Sequence, residues 1–152
     1  MNATDDVRDV EAHRKFAKEL FNLTWDLLDR EDRTAEDNDR MIHAAHASRF
    51  HWGEIGTPLE FARGEWQVSR VYAVLGRATA AIYHGERSLA LCEENGIGDF
   101  DLAFAYEALA RGHAVAGEAA KSAEYMGLAK QAAEEIEDEG DKEYFLSELA
   151  TV

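Results

Sequence analysis

The chain holds one cysteine, one proline and half as many basic as acidic residues, 16 against 31. A single thiol, Cys92, cannot close an internal disulfide, so a reducing, cytoplasmic setting is expected. The least polar run, residues 71–83, contains Arg77 and falls far short of the ~20 apolar residues that cross a bilayer. No membrane partner is expected. The first residues, Met1-Asn2-Ala3-Thr4-Asp5-Asp6, are acidic with no apolar stretch behind them, and no secretory signal is read there. A net charge of −15 lacks the cationic footprint that nucleic acid requires, so no nucleic-acid partner is expected.

Strand signals are missing as well. No alternating segment rich in Val, Ile and Thr is left once helical patterns are assigned. Catalytic signatures are equally scarce: there is no GxSxG, no Walker A loop, no GxGxxG, no HExxH and no cysteine pair. The expectation is a protein that is not an enzyme and uses no cofactor. Cys92 falls in a run of small residues, Ala81, Gly85, Ser88 and Cys92, which reads as packing and not as a reactive thiolate.

What is present is helix. Phe16, Leu20, Leu23 and Leu27 step by four, three and four along one stripe of a first helix ending near Leu28. Thr34 with Asp37 three residues on marks the next start, and a second helix rich in small residues runs to about Trp52. Thr57-Pro58-Leu59-Glu60 supplies an N-cap, a proline at the first helical position and a glutamate that completes a capping box. The third helix starts there and ends at Gly76; a fourth follows to Glu94. Asp101 is the expected N-cap of a fifth helix that Gly117 ends. A sixth takes Ala119 to about Glu137, and Asp141 is expected to cap a last short helix bearing Tyr144, Phe145 and Leu149.

These breaks repeat. Gly76 and Gly117 are 41 residues apart, as are Trp25 and Trp66. Sliding by that offset superposes helices one, three and five, and helices two, four and six, giving units of about 17–57, 58–98 and 99–139 within a single all-helical domain, 1–152. Residues 140–152 read as a cap over the last apolar face. In the third unit Tyr106, Leu109, Ala110, His113, Gly117, Ser122, Met126 and Ala129 follow a large, Leu, small, aromatic, Gly, small, bulky, Ala pattern. With Val68, Ser69, Tyr72, Gly76, Ala81 and Ser88 of the second unit, the chain resembles the tetratricopeptide repeat (TPR) family. It departs from that family in its 41-residue period and in lacking the helix-ending proline. The resemblance implies an all-α, right-handed array of antiparallel helical hairpins, about six helices plus a C-terminal capping helix.

The resemblance also implies a groove on the first helix of each unit, where proteins of the family bind partners. The side chains it places there are Asn22, Trp25 and Asp29, then Arg63, Trp66 and Arg70, then Phe104, Glu107 and Arg111. Charge runs the same way. Residues 1–40 carry 7 basic and 12 acidic groups and residues 91–152 carry 4 and 15, whereas 41–90 carry 5 and 4, all five cations being arginines. Arg63, Trp66 and Arg70 lie at i, i+3 and i+7, which sets two guanidiniums around an indole on one helical face. Such a face holds a carboxylate or phosphate. The alternative is that these arginines pair with Glu60, Glu65 or Glu107. The functional expectation is a non-catalytic scaffold that binds an acidic protein or peptide segment, or a small anion, through Trp25, Arg63, Trp66, Arg70, Phe104 and Arg111. A homodimer burying apolar helix faces is a further expectation.

A second constellation is His43, His46 and His51. His43 and His46, at i and i+3, can share a metal; His51 lies two turns away, about 12 Å along the axis. A metal-binding protein or enzyme built on His43 and His46 is the alternative reading.

Overall fold

Capping chemistry sets where the helices begin. In the computed structural model, which describes residues 3–152 with side chains from Asp9 onward, Thr34 Oγ1 accepts from the Asp37 N–H at 3.1 Å and Asp37 Oδ2 accepts from the Thr34 N–H at 3.1 Å. A related cap joins Thr57 and Glu60, where the carboxylate accepts from the Thr57 backbone N–H at 3.1 Å and from its hydroxyl. Each cap is worth about 1 kcal/mol. Of the acidic start of the chain, Met1 and Asn2 lie outside the described residues, and residues 3–6 are described in backbone alone.

Seven helices follow in order among the described residues: α1 (Ala3–Leu28), α2 (Ala35–Ile55), α3 (Pro58–Val74), α4 (Ala78–Glu94), α5 (Asp99–Val115), α6 (Ala119–Glu134) and α7 (Glu139–Leu149). They pack as hairpins, α1 on α2, α3 on α4 and α5 on α6, with α2 on α3 and α4 on α5 joining one hairpin to the next. The odd-numbered helices also touch each other, α1 on α3 and α3 on α5, and line a common inner side. The expected all-α array of helical hairpins is the architecture observed.

The 41-residue offset is visible in the hydrogen bonds. At the α3–α4 turn the Arg77 N–H donates to Tyr72 O at 2.9 Å, and Gly76 sits at φ +75°. At the α5–α6 turn the Glu118 N–H donates to His113 O at 2.9 Å, and Gly117 sits at φ +77°. Both are left-handed helix stops in which the N–H beyond the glycine returns to the previous turn. Beside each of these turns a serine hydroxyl bridges the two helices, from α3 in one case and from α6 in the other, and Ser88 Oγ of α4 adds a second bridge to Ala62 O at 2.9 Å. Ser69 Oγ of α3 donates to Ala81 O at 2.7 Å, whereas Ser122 Oγ of α6 donates to Ala110 O at 2.8 Å. Ala110 and Ser122 stand 41 residues after Ser69 and Ala81. The α1–α2 loop lacks such a glycine. There Arg33 Nη1 donates to the carbonyls of Leu27, Leu28 and Arg30 at 3.3, 3.2 and 2.6 Å, closing the end of α1 with a side chain.

Small residues let neighbouring helices approach. Ala81, Gly85, Ser88 and Cys92 are all buried on α4, and a Cβ at Gly85 would stand 3.2 Å from Leu109 Cδ2 on α5. At the C-terminal end, Phe145 and Leu149 of α7 close over Ala103, Phe104, Ala129, Ala133 and Ile136. A second cluster, Leu27, Met41, Ala45, Val68 and Val71, binds the first hairpin to the second.

Four helix boundaries differ from expectation, the first being that α2 runs past Trp52 and through Gly53 to Ile55, with Gly56 as its C-cap. α5 begins at Asp99 with Gly98 as N-cap, because the Asp101 carboxylate turns away to Arg63. Asp138, not Asp141, caps α7, its Oδ1 accepting the Asp141 N–H at 2.8 Å. α6 ends at Glu134, three residues early, so that Ile136 can turn into the core.

Candidate functional site: an aromatic groove on the inner face

Helices α1, α3, α5 and α7, with Ser88 of α4, line an open cavity of about 550 Å³. Its wall is aromatic. The Trp25 and Trp66 rings stand 5.5 Å apart, Trp66 and Phe104 5.1 Å, and Phe104 and Phe100 4.6 Å, so α1, α3 and α5 form a continuous band. Phe21 extends it at one end, 6.5 Å from Trp25. Tyr144 of α7 closes the other, 6.5 Å from Phe100 and 6.1 Å from Phe104, and remains 47% exposed. Arg63, Asp99, Asp101 and Asp141 supply the charged lining.

Of the six residues expected to bind a ligand, Trp25, Arg63, Trp66 and Phe104 line this cavity. Arg70 and Arg111 do not. They converge on Glu107, which is fully buried: Arg70 Nη2 donates to Glu107 Oε1 at 3.2 Å and Arg111 Nε to the same oxygen at 2.7 Å. The Trp66 indole N–H donates to Glu107 Oε2 at 3.3 Å, and the Arg70 guanidinium lies 5.4 Å from the Trp66 ring centre. From α7, Glu148 Oε2 accepts from Arg70 Nη1 at 3.1 Å, and Glu148 O accepts from Arg111 Nη2 at 3.2 Å. A buried guanidinium requires an opposite charge, and Glu107 provides it for two.

Arg63 is also paired, its Nε and Nη2 donating to the two Asp101 oxygens at 2.8 and 3.2 Å. The three arginines expected to hold an anion are therefore already answered by carboxylates of the chain. Asn22 and Asp29, the remaining positions that the resemblance assigned to the groove, are exposed.

Asp99, Asp141, Phe100 and Tyr144 were not among the expected groove residues. Asp99 is the one non-glycine residue with positive φ among the described residues, at +53°, a conformation that aspartate tolerates through local hydrogen bonding. Its Oδ1 accepts from the Phe100 N–H at 2.6 Å, and its Oδ2 accepts from the Glu137 N–H at 3.3 Å, tying the start of α5 to the loop before α7. Asp141 makes no side-chain hydrogen bond or ion pair among the described residues. Burial pushes the Tyr144 phenol up, with Glu148 adding to the shift and Arg70 opposing it.

The histidines divide between two places. His46 Nε2 hydrogen-bonds the Tyr72 hydroxyl at 2.8 Å, and its ring lies 5.4 Å from that of His84. His84 Nδ1 bonds Glu65 Oε2 at 2.7 Å, and Arg49 Nε donates to Glu65 Oε1 at 3.3 Å. Burial and the neighbouring His84 hold the His46 imidazole below its usual range. His43 is exposed, and His51 faces His13, Nδ1 to Nδ1, at 2.8 Å. Among the described residues no three His, Cys, Asp or Glu side chains are placed to hold one metal ion. Cys92 is buried on α4, and burial pushes its thiol up to about 11, so it is protonated at neutral pH.

No helix among the described residues is long and apolar enough to cross a membrane. No family model, curated protein or solved structure matches the chain.

Proposed function

We propose that this chain is a non-catalytic, TPR-like binding module of the cytoplasm that takes a segment of a partner protein into its inner groove. One observation carries the reading: each of the three hairpins, and the last helix, contributes an aromatic side chain to one open cavity of about 550 Å³. Apolar area left open in a folded protein is costly unless something covers it, and an aromatic band can anchor a partner side chain. The anionic-ligand version of this reading loses its main support, because Arg63, Arg70 and Arg111 are all paired internally.

The test is selection from a random dodecapeptide library. Sequences enriched on the native chain lose about ten-fold in affinity on Tyr144→Ala, which removes an exposed wall of the groove; a loss of that size matches one truncated aromatic anchor. Failure to enrich any sequence, or capture indifferent to Tyr144→Ala, overturns the reading.

A homodimer is a second reading with its own observation. Phe16 of α1 and Phe50 of α2 are 45% and 61% exposed and lie 5.5 and 5.6 Å from the His51 ring. Light scattering at twice the chain mass, reverting to a monomer in Phe50→Ser, supports it.

A further inference from the structure

We infer that the groove is built for a cation, carried on a basic segment of a partner protein whose arginine or lysine stem lies along the aromatic band with its charge at the Asp141 rim. This rests on the groove being the binding site and adds the chemistry of its ligand. The wall is a run of π faces, Trp25, Trp66, Phe104 and Tyr144, each of which attracts a cation and packs against a long aliphatic stem. The charged lining consists of three carboxylates and one guanidinium, and that guanidinium is held by Asp101 at 2.8 and 3.2 Å. Asp99 and Asp141 therefore carry the net charge of the lining, and it is negative.

Asp99 is fixed by two backbone N–H groups, whereas Asp141 stands without a side-chain partner among the described residues, at the edge of an open cavity. An anion entering here meets carboxylates and finds every guanidinium engaged; a cation meets aromatic faces and an uncommitted acid. The acidic surroundings, with the chain at −15 overall, steer a basic partner in from a distance. A peptide is favoured over a small free cation because the aromatic band runs from Tyr144 beside Asp141 to Phe21 at the other end, and so offers contacts beyond those that one ammonium can use.

The two electrostatic readings predict opposite signs for one substitution. Arg63 is 51% exposed, so Arg63→Gln removes its charge without opening the core and releases Asp101 to the ligand. The probe is a fluorescein-labelled decapeptide of alternating leucine and arginine, followed by anisotropy at near-physiological salt. Arg63→Gln is expected to tighten binding about five-fold and Asp141→Asn to weaken it about five-fold, the size of one partly screened charge contact. Lys130→Gln and Glu134→Gln make the same changes in net charge on α6, which lends no residue to the cavity, and are expected to move affinity less than about two-fold.

Weaker binding in Arg63→Gln, or tighter binding of the leucine–glutamate peptide, overturns the cation. A leucine–glutamine peptide that binds as well as the basic one and is lost on Tyr144→Ala also overturns the cation, while leaving the groove. If none of the three peptides responds to Tyr144→Ala, groove and cation fall together. Choline displacing the probe at concentrations equal to the unlabelled peptide assigns the site to a free quaternary ammonium and overturns the peptide source.

Discussion

Glu107 is a carboxylate with no exposure that accepts from Arg70, Arg111 and Trp66. Removing a buried charge from such a cluster leaves its partners uncompensated, a cost of about 3–5 kcal/mol. Glu107→Ala is therefore expected to lower the free energy of unfolding in urea by that amount. Glu107→Gln keeps the shape and one acceptor and loses less, and Leu is expected to fare no better than Ala because it too leaves Arg111 with no carboxylate and Arg70 with Glu148 alone. The spacing of Arg63, Trp66 and Arg70 showed that two guanidiniums and an indole share a helical face. It did not show which carboxylates stand opposite. Glu107 was legible as a groove position, yet its burial depends on Glu148 and α7 closing over Arg70 and Arg111, an arrangement that joins residues about 40 apart in sequence or more.

The turns separate backbone demand from packing demand. A Cβ at Gly76, Gly117 or Gly127 meets nothing within 4 Å, so steric crowding is absent at all three. They differ in backbone: Gly76 and Gly117 are left-handed at φ +75° and +77°, while Gly127 lies inside α6. Alanine at Gly76 or Gly117 is thus expected to destabilise by about 1 kcal/mol, and alanine at Gly127 to stabilise by about 0.5–1 kcal/mol. Melting temperatures moving in opposite directions check the pair. Helix existence and the 41-residue period were readable for this reason: each rests on glycines, caps and apolar steps within a few residues of one another. Boundaries were less so. Asp101 and Asp141 both look like N-caps in sequence, but Asp101 is drawn to Arg63 across 38 residues, and Asp138 reaches the free N–H groups of α7 first. The aromatic wall was half legible: Trp25 and Trp66 are one repeat apart and Phe104 falls at the groove position of Asn22 and Arg63, whereas Phe100 and Tyr144 fall at no groove position.

Because each hairpin packs on its neighbours, stability is expected to be distributed along the array and not shared equally. α1 packs on α2 and α3, while α7 packs on α5 and α6. Phe145 is fully buried against the cluster that contains Phe104 and Ile136, so Phe145→Ala removes an aromatic side chain from the end of the stack. The loss is expected to be about 3–5 kcal/mol. Total stability for a domain of this size is about 5–15 kcal/mol, so the chain stays folded but its C-terminal end is left the weaker. Hydrogen exchange is the measurement that localises the effect. In a linear array α5, α6 and α7 open first, and protection in α1 and α2 is unchanged until global unfolding. Equal loss of protection in all helices would instead show one cooperative body. The outcome bears on binding, because Tyr144 and Asp141 ride on the same helix as Phe145. Binding that engages α7 is then linked to its docking, and a ligand seated against Tyr144 is expected to restore part of the exchange protection that Phe145→Ala removes.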